Sequence, residues 1–296
     1  MKFLLLLVPL LLLSNPSGAQ SRPVRVDVRV YGGTSAGVIA ACTAKKMGKS
    51  VLLIEPGRHL GVLTSGGLGH TDIGNKYTIT GLALDYYRRL GKHYGTFEQW
   101  IFEPGVAENL FRDYVKRAGV EVLFEHRLAG ASKDANGYLQ TIALENAAGT
   151  ANGTNRTVKA GMFIDATYEG DLLAKAGVSY TVGREDNSLY RETLNGVQFH
   201  DKHQLPDGVD PYKGPGNPES GLVWGVSTEH LQPNGTGDKK VQAYNFRICL
   251  TSDPANLIPI ARPRNYDSTR YELVLRQLVR RPAKNLNAVL KMDLMP

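Results

Sequence analysis

Val26-Asp27-Val28-Arg29-Val30-Tyr31, then Gly32-Gly33-Thr34-Ser35-Ala36-Gly37, and after a short helix Val51-Leu52-Leu53-Ile54-Glu55, is the stretch that decides the fold. The pattern predicts a strand over 26–31, a glycine turn, a helix over 37–47 and a second strand ending in a carboxylate. A helix N-terminus presents unpaired N–H groups and a partial positive charge, so it suits a pyrophosphate. Glycines in the turn let the backbone approach the phosphates with no Cβ between. Glu55 follows Gly32 at the offset expected of a carboxylate that accepts from a ribose 2′-OH. Together these residues describe a holder for the ADP half of a dinucleotide.

The context supports the fingerprint. The helix carries Val38, Ala40, Ala41 and Ala44, small enough to pack close to a sheet, and Lys45, Lys46 and Lys49 sit at its C-terminal end, before and after Gly48. The plainer alternative is an ordinary βαβ unit with a tight turn. Two residues depart from the pattern. Thr34 stands where the second motif glycine belongs, where its Cβ would crowd a phosphate or its hydroxyl would donate to one. Arg29 lies in a strand that should be buried on both faces, so it must snorkel or find a partner.

Met1-Lys2, an apolar run over residues 3–13, the breakers Asn15-Pro16 and the small residues Ser17-Gly18-Ala19 read as a signal peptide, cleaved after Ala19. The run is short of the ~20 apolar residues of a membrane span, so export without stable membrane insertion is expected, to the periplasm or the outside of the cell. The 296 residues carry a net charge of +7, with basic and acidic residues interspersed, which reads as a solvated surface and not a nucleic-acid face. Of the two cysteines, Cys42 lies among packing alanines and Cys249 in the apolar run 246–250, so both read as buried thiols. No CxxC occurs and no metal site is signalled.

Downstream, residues 56–72 form a glycine-rich loop, and helices are expected near 82–91 and over 104–118, the latter with Pro104 at its start and an apolar face of core type. A strand over 120–125, a β-meander from 130 to 157 with a strand near 137–144, and a buried strand over 160–167 follow. Further on, 207–220 reads as a loop, 224–230 and 241–250 as strands, and 271–278 and 286–290 as helices. The expected organisation is a signal peptide over 1–19, a dinucleotide-binding domain over 20–177 and an incomplete substrate domain over 178–296. The fold class is α/β: a Rossmann-like domain with a β-meander, plus part of a mixed α+β substrate domain.

The turn, the small-residue helix, Glu55, the loop Leu60-Gly61-Val62-Leu63-Thr64-Ser65-Gly66-Gly67 and the closing segment Phe163-Ile164-Asp165-Ala166-Thr167 resemble an FAD-binding domain of the glutathione-reductase type. With Tyr168-Glu169-Gly170-Asp171 and Tyr180-Thr181-Val182-Gly183-Arg184-Glu185, the chain resembles exported FAD-dependent oxidoreductases often labelled xanthan-lyase-like. That resemblance implies FAD as cofactor. It places the pyrophosphate at Gly32, Gly33, Thr34, Ser35, Ala36 and Gly37 and the adenosine ribose at Glu55. The loop beside the pyrophosphate and flavin falls at Gly61, Thr64, Ser65 and Gly66, a backbone contact to adenine at Leu128, and the closing turn at Ala166 and Thr167. At Val62 the family usually has a glycine. The family also returns from its substrate domain with a Gly-Asp segment, which is not recognisable here. The chain therefore reads as about the front half of a longer protein, completed by a missing C-terminal half or a partner chain.

On this reading the flavin performs redox chemistry on a small-molecule or carbohydrate-related substrate. His70 is the candidate proton donor or acceptor nearest the expected flavin face, against the plainer reading of a loop histidine held by Asp72 or by backbone. Arg184 and Glu185 face a substrate carboxylate or each other. An HExxH metalloprotease motif is absent, and Glu169 and Asp171 read as caps and solvated charges. Two alternatives stand beside the flavoenzyme: an NAD(P)-binding Rossmann protein, and a truncated, non-catalytic flavoprotein fragment.

Overall fold

The computed structural model describes residues 24–149, 156–201, 204–244 and 246–289; the leader expected over 1–19 lies outside them. Contacts group the chain into two compact units, Met1–His59 with Tyr114–Ala176 and Leu60–Asp113 with Gly177–Pro296.

The first unit is built on six strands: β1 (Val24–Tyr31), β2 (Val51–Glu55), β3 (Glu121–Phe124), β4 (His126–Lys133), β5 (Leu139–Asn146) and β6 (Arg156–Asp165), in the order β3-β2-β1-β6-β5-β4. β1 runs parallel to β2 and β6, and β2 to β3, whereas β5 is antiparallel to both β6 and β4. This is a Rossmann-like α/β sheet extended by a meander. β2 is buried at every position, as a parallel strand covered on both faces must be. Helix α1 (Ser35–Lys46) packs on β1 and β2. On the opposite face Tyr31, Leu52, Ile54, Leu128, Ile142, Leu144, Val158 and Leu172 form one apolar cluster. Helix α4 (Asp171–Lys175) follows β6.

Arg29 shares the Tyr31 face. It is fully buried and its Nε donates to the Lys159 carbonyl at 3.1 Å. Burial lowers its pKa to about 10 and Glu121 opposes that shift, so the guanidinium stays charged at neutral pH. It has found a partner; it does not snorkel.

The second unit holds α2 (Gly81–His93), α3 (Pro104–Ala118, its last turns in the first unit), the short α5 (Asn187–Tyr190), the hairpin β7 (Tyr212–Gly214) and β8 (Asn217–Leu222), and α6 (Glu272–Arg280). Tyr86 stacks on Phe111 at 4.7 Å and Tyr87 on Trp100 at 4.0 Å, which fastens α2 to α3 and to the segment before it.

Several expectations are corrected. The hairpin β7–β8 occupies the supposed loop 207–220. Residues 224–230 and the described part of 241–250 form no strand, because no neighbour pairs with them among the described residues. In place of a helix near 286–290 there is a single tight turn, Leu286–Ala288. Cys249 is exposed, and only Cys42 is the buried thiol expected of both.

Candidate functional site

β1 is the strand at which the connections part: α1 leads to β2 on one side, and β6 lies on the other. Ligands of open α/β sheets bind outside the carboxyl ends of the strands at such a switch point. Here the ends of three strands are stitched together, since Gly32 N–H donates to Ile54 O and Ala166 N–H to Tyr31 O, both at 2.8 Å.

The turn leaves no space for a Cβ at Gly32 or Gly37. Gly32 has φ +101°, and a Cβ on it would lie 2.8–2.9 Å from the backbone of Ala166 and Thr167. A Cβ on Gly37 would stand 1.9 Å from the Gly32 carbonyl oxygen. Thr34 is the N-cap of α1. Its buried hydroxyl accepts from Gly37 N–H at 3.1 Å and donates to Ala166 O at 2.7 Å. That corrects the expectation of a phosphate donor at Thr34, because the one hydroxyl proton is already committed. It also removes the expected crowding: the side chain points into the protein. The first-turn amides of Ser35 and Ala36 have no acceptor within the helix, and they remain the natural donors to an anion.

Residues Gly33-Thr34-Ser35-Ala36-Gly37 also spell Gly-x-Ser-x-Gly, the pattern of a serine-hydrolase elbow. An elbow needs its serine on a strained turn beside a base. Ser35 instead opens a regular helix, has no positive φ, and bonds to no histidine among the described residues.

Glu55 is buried at the end of β2. Its Oε2 accepts from Gly33 N–H and its Oε1 from Gly57 N–H, each at 2.6 Å. Each oxygen keeps a further lone pair, so the carboxylate can hold the turn and still accept from two ribose hydroxyls. The network continues: Glu125 N–H donates to Gly57 O at 3.0 Å, and Arg58 Nε meets Glu125 Oε1 at 2.5 Å. Glu125 takes φ +56°, the kink that separates β3 from β4. Three residues on, Leu128 N–H donates to Tyr31 Oη at 3.0 Å, so that amide is engaged within the fold. Burial raises the Tyr31 pKa and holds the phenol protonated.

Ala166 and Thr167 close the turn. Asp165 Oδ1 accepts from Thr167 N–H at 3.0 Å and from its hydroxyl at 2.7 Å, and Oδ2 from Leu173 N–H at 2.9 Å; Thr167 Oγ1 accepts from Gly170 N–H at 2.9 Å. The Asp-Ala-Thr segment is thus a rigid cap on α4, with the Ala166 carbonyl turned toward Thr34.

In the second unit the loop over 60–67 is folded tightly on itself. Thr64 N–H donates to Gly61 O at 3.0 Å and Ser65 Oγ to Leu60 O at 2.5 Å. A Cβ on Gly61 would strike the Phe111 ring at 2.5 Å, and one on Gly66 the Val62 carbonyl oxygen at 2.6 Å. Val62 has φ +42°, so a β-branched residue occupies a conformation that favours glycine. His70 is exposed and forms an antiparallel bridge with Ile101, flanked by Phe102 N–H to Gly69 O and Thr71 N–H to Trp100 O. Arg184 pairs with Asp238, not with Glu185 or an open site: its Nε bonds Oδ1 at 2.9 Å, and this bond is the main cause that pushes the Asp238 carboxyl down to about 2. Among the described residues no His, Cys, Asp and Glu cluster could hold a metal ion.

A profile of the FAD dependent oxidoreductase family matches residues 27–294. No curated protein matches the chain. Solved structures that resemble it include the flavin-dependent brominase Bmp2 (17% identity, TM-score 0.41, 55% of this chain and 42% of that one). A flavoprotein/dehydrogenase from Cytophaga hutchinsonii (19%, 0.41, 54% and 44%) and the L-proline dehydrogenase of P. horikoshii (16%, 0.40, 55% and 59%) are others. The chain spans about half the length of these structures.

Proposed function

Because the chain belongs to the FAD dependent oxidoreductase family, and FAD is therefore its cofactor, we propose that it is an exported flavoenzyme acting on a small organic or carbohydrate-related substrate. The observation that carries the reading is the preformed cradle: a turn with no room for a Cβ at Gly32 or Gly37, and a buried Glu55 carboxylate clamped by two amides. On this reading Ser35 and Ala36 amides meet the pyrophosphate, Glu55 the ribose, and the Leu128 carbonyl, its amide being engaged by Tyr31, the adenine. Gly61, Thr64, Ser65 and Gly66 lie along the pyrophosphate and flavin. The flavin supplies the two-electron chemistry when bound; the protein orients it, and His70 moves a proton to or from the substrate. Export is supported by the leader-like composition of residues 1–19. Completion of the substrate site by a further segment or partner chain is supported by Tyr244, Phe246, Ile248 and Leu250, large apolar side chains that are all exposed.

The test is direct. The purified protein is examined for oxidised-flavin absorbance, and the nucleotide released by denaturation is identified by mass. FAD is expected, with Glu55→Gln weakening its binding by tenfold or more through loss of the charged acceptor. A folded protein that stays colourless with added FAD and binds NAD(P)H instead would overturn the assignment.

A further inference from the structure

Helix α6 is mounted the wrong way round for a core helix. Amphipathic helices normally turn their apolar stripe inward and their charges to water. In α6 the arginines face the protein: Arg276 Nη1 donates to the carbonyls of Asp210 at 2.8 Å and Tyr212 at 2.5 Å, and Arg280 Nε to Gly208 O at 3.0 Å. The other side carries Tyr271, Leu275 and Val279 at i, i+4 and i+8, respectively 52%, 58% and 73% exposed. Trp224 is 60% exposed beside this helix, with the Arg270 guanidinium 5.4 Å over its ring.

The charge around the stripe is one-sided. From Arg262 to Lys284 there are seven basic residues against two acidic ones, Asp267 and Glu272. Both acids are engaged, Glu272 with Arg276 at 2.7 Å and Asp267 in capping Thr269. Arg281 and Lys284 are exposed and in no ion pair among the described residues. A second copy placed on this stripe about a two-fold axis would set basic against basic. A surface that is apolar beneath and anionic above fits it: acyl chains for Leu275 and Val279, the headgroup level for Trp224 and Tyr271, phosphates for Arg270, Arg281 and Lys284. We propose that this face of α6 docks the protein on an anionic lipid surface, lying on the membrane and not crossing it. No described helix is long and apolar enough to cross.

The experiment is co-sedimentation of the full chain with vesicles of phosphatidylglycerol and phosphatidylcholine, against vesicles of phosphatidylcholine alone. The apolar run near the N-terminus is common to every variant, so the readout is the difference between variants. Tighter binding to the anionic vesicles is expected, weakened by salt. Arg281→Gln with Lys284→Gln should weaken it by roughly fivefold per charge removed. Leu275→Asp with Val279→Asp, at exposed positions, should abolish the difference between the two vesicle types while leaving the circular dichroism unchanged. The proposal is overturned if either double variant binds anionic vesicles as tightly as the parent. It is equally overturned if the parent shows no preference for anionic lipid, or if it sediments as a dimer that Leu275→Asp with Val279→Asp makes monomeric.

Discussion

Thr34 shows how a departure from a motif becomes an asset to the fold. Its hydroxyl caps α1 and fastens the turn to Ala166, so Thr34→Val should lower stability by about 1–2 kcal/mol, the usual range for a lost N-cap, while Thr34→Ser should retain most of it. Urea midpoints of the two variants check this. Val62 lies at φ +42°, at a cost of about 1–2 kcal/mol against a partly offsetting gain from its stiffer unfolded chain. Val62→Gly should therefore stabilise by roughly 0.5–1 kcal/mol in the same assay. Cys42 carries a pH signature. Burial pushes its thiol up to about 11 from an ordinary value of 9.0. The unfolded chain gives up that proton from pH 9, whereas the folded chain holds it to about 11, so stability falls as pH rises through this window, by at most about 1.4 kcal/mol per pH unit. Cys42→Ala should flatten that slope in unfolding curves from pH 8 to 11. At this scale Gly32, Gly37 and Glu55 were legible because backbone sterics and charge dictate them locally. The Thr34–Ala166 bond was not, since nothing in a turn's sequence names its partner.

Among the elements, α1 and α3 follow from periodicity because each buries a face along its own length, while β2 reads as an unbroken apolar run because both its faces are covered. Residues 241–250 carry as clear an alternation, yet their described part forms no strand among the described residues, since a strand is completed by a neighbour and its own sequence supplies none. The hairpin β7–β8 was hidden for the converse reason: its Pro and Gly residues read as loop, yet Tyr212 pairs with Leu222 and Gly214 with Asn217. The junction of β6 and α4 is the element-scale feature best suited to a test. Asp165 holds Thr167 and Leu173 with three hydrogen bonds, so Asp165→Ala should cost about 2–3 kcal/mol, as bonds to charged groups do. FAD affinity should fall with it. Isothermal titration beside chemical denaturation separates the two effects, and unchanged values in both would discount the cap.

For the whole molecule, the contacts group residues 60–113 with 177–296. That grouping rests on approaches such as Gly67 to Arg247, which only the folded chain brings together. FAD at a hundred times its Kd should stabilise the protein by about 2.7 kcal/mol, visible as a raised Tm. Amide exchange should slow around residues 32–37, 55–57 and 165–167; protection confined to other segments would move the site elsewhere. The Thr34–Ala166 bond spans 132 residues, which gives the cradle a history as well as a shape. During synthesis the glycine turn emerges long before the segment that closes it. At ~5–20 residues per second the wait is roughly 7–26 s. A nascent chain shows its fingerprint early and cannot close its grip until the Asp165 cap arrives, so cofactor capture belongs to the end of the first unit's synthesis, not to its beginning.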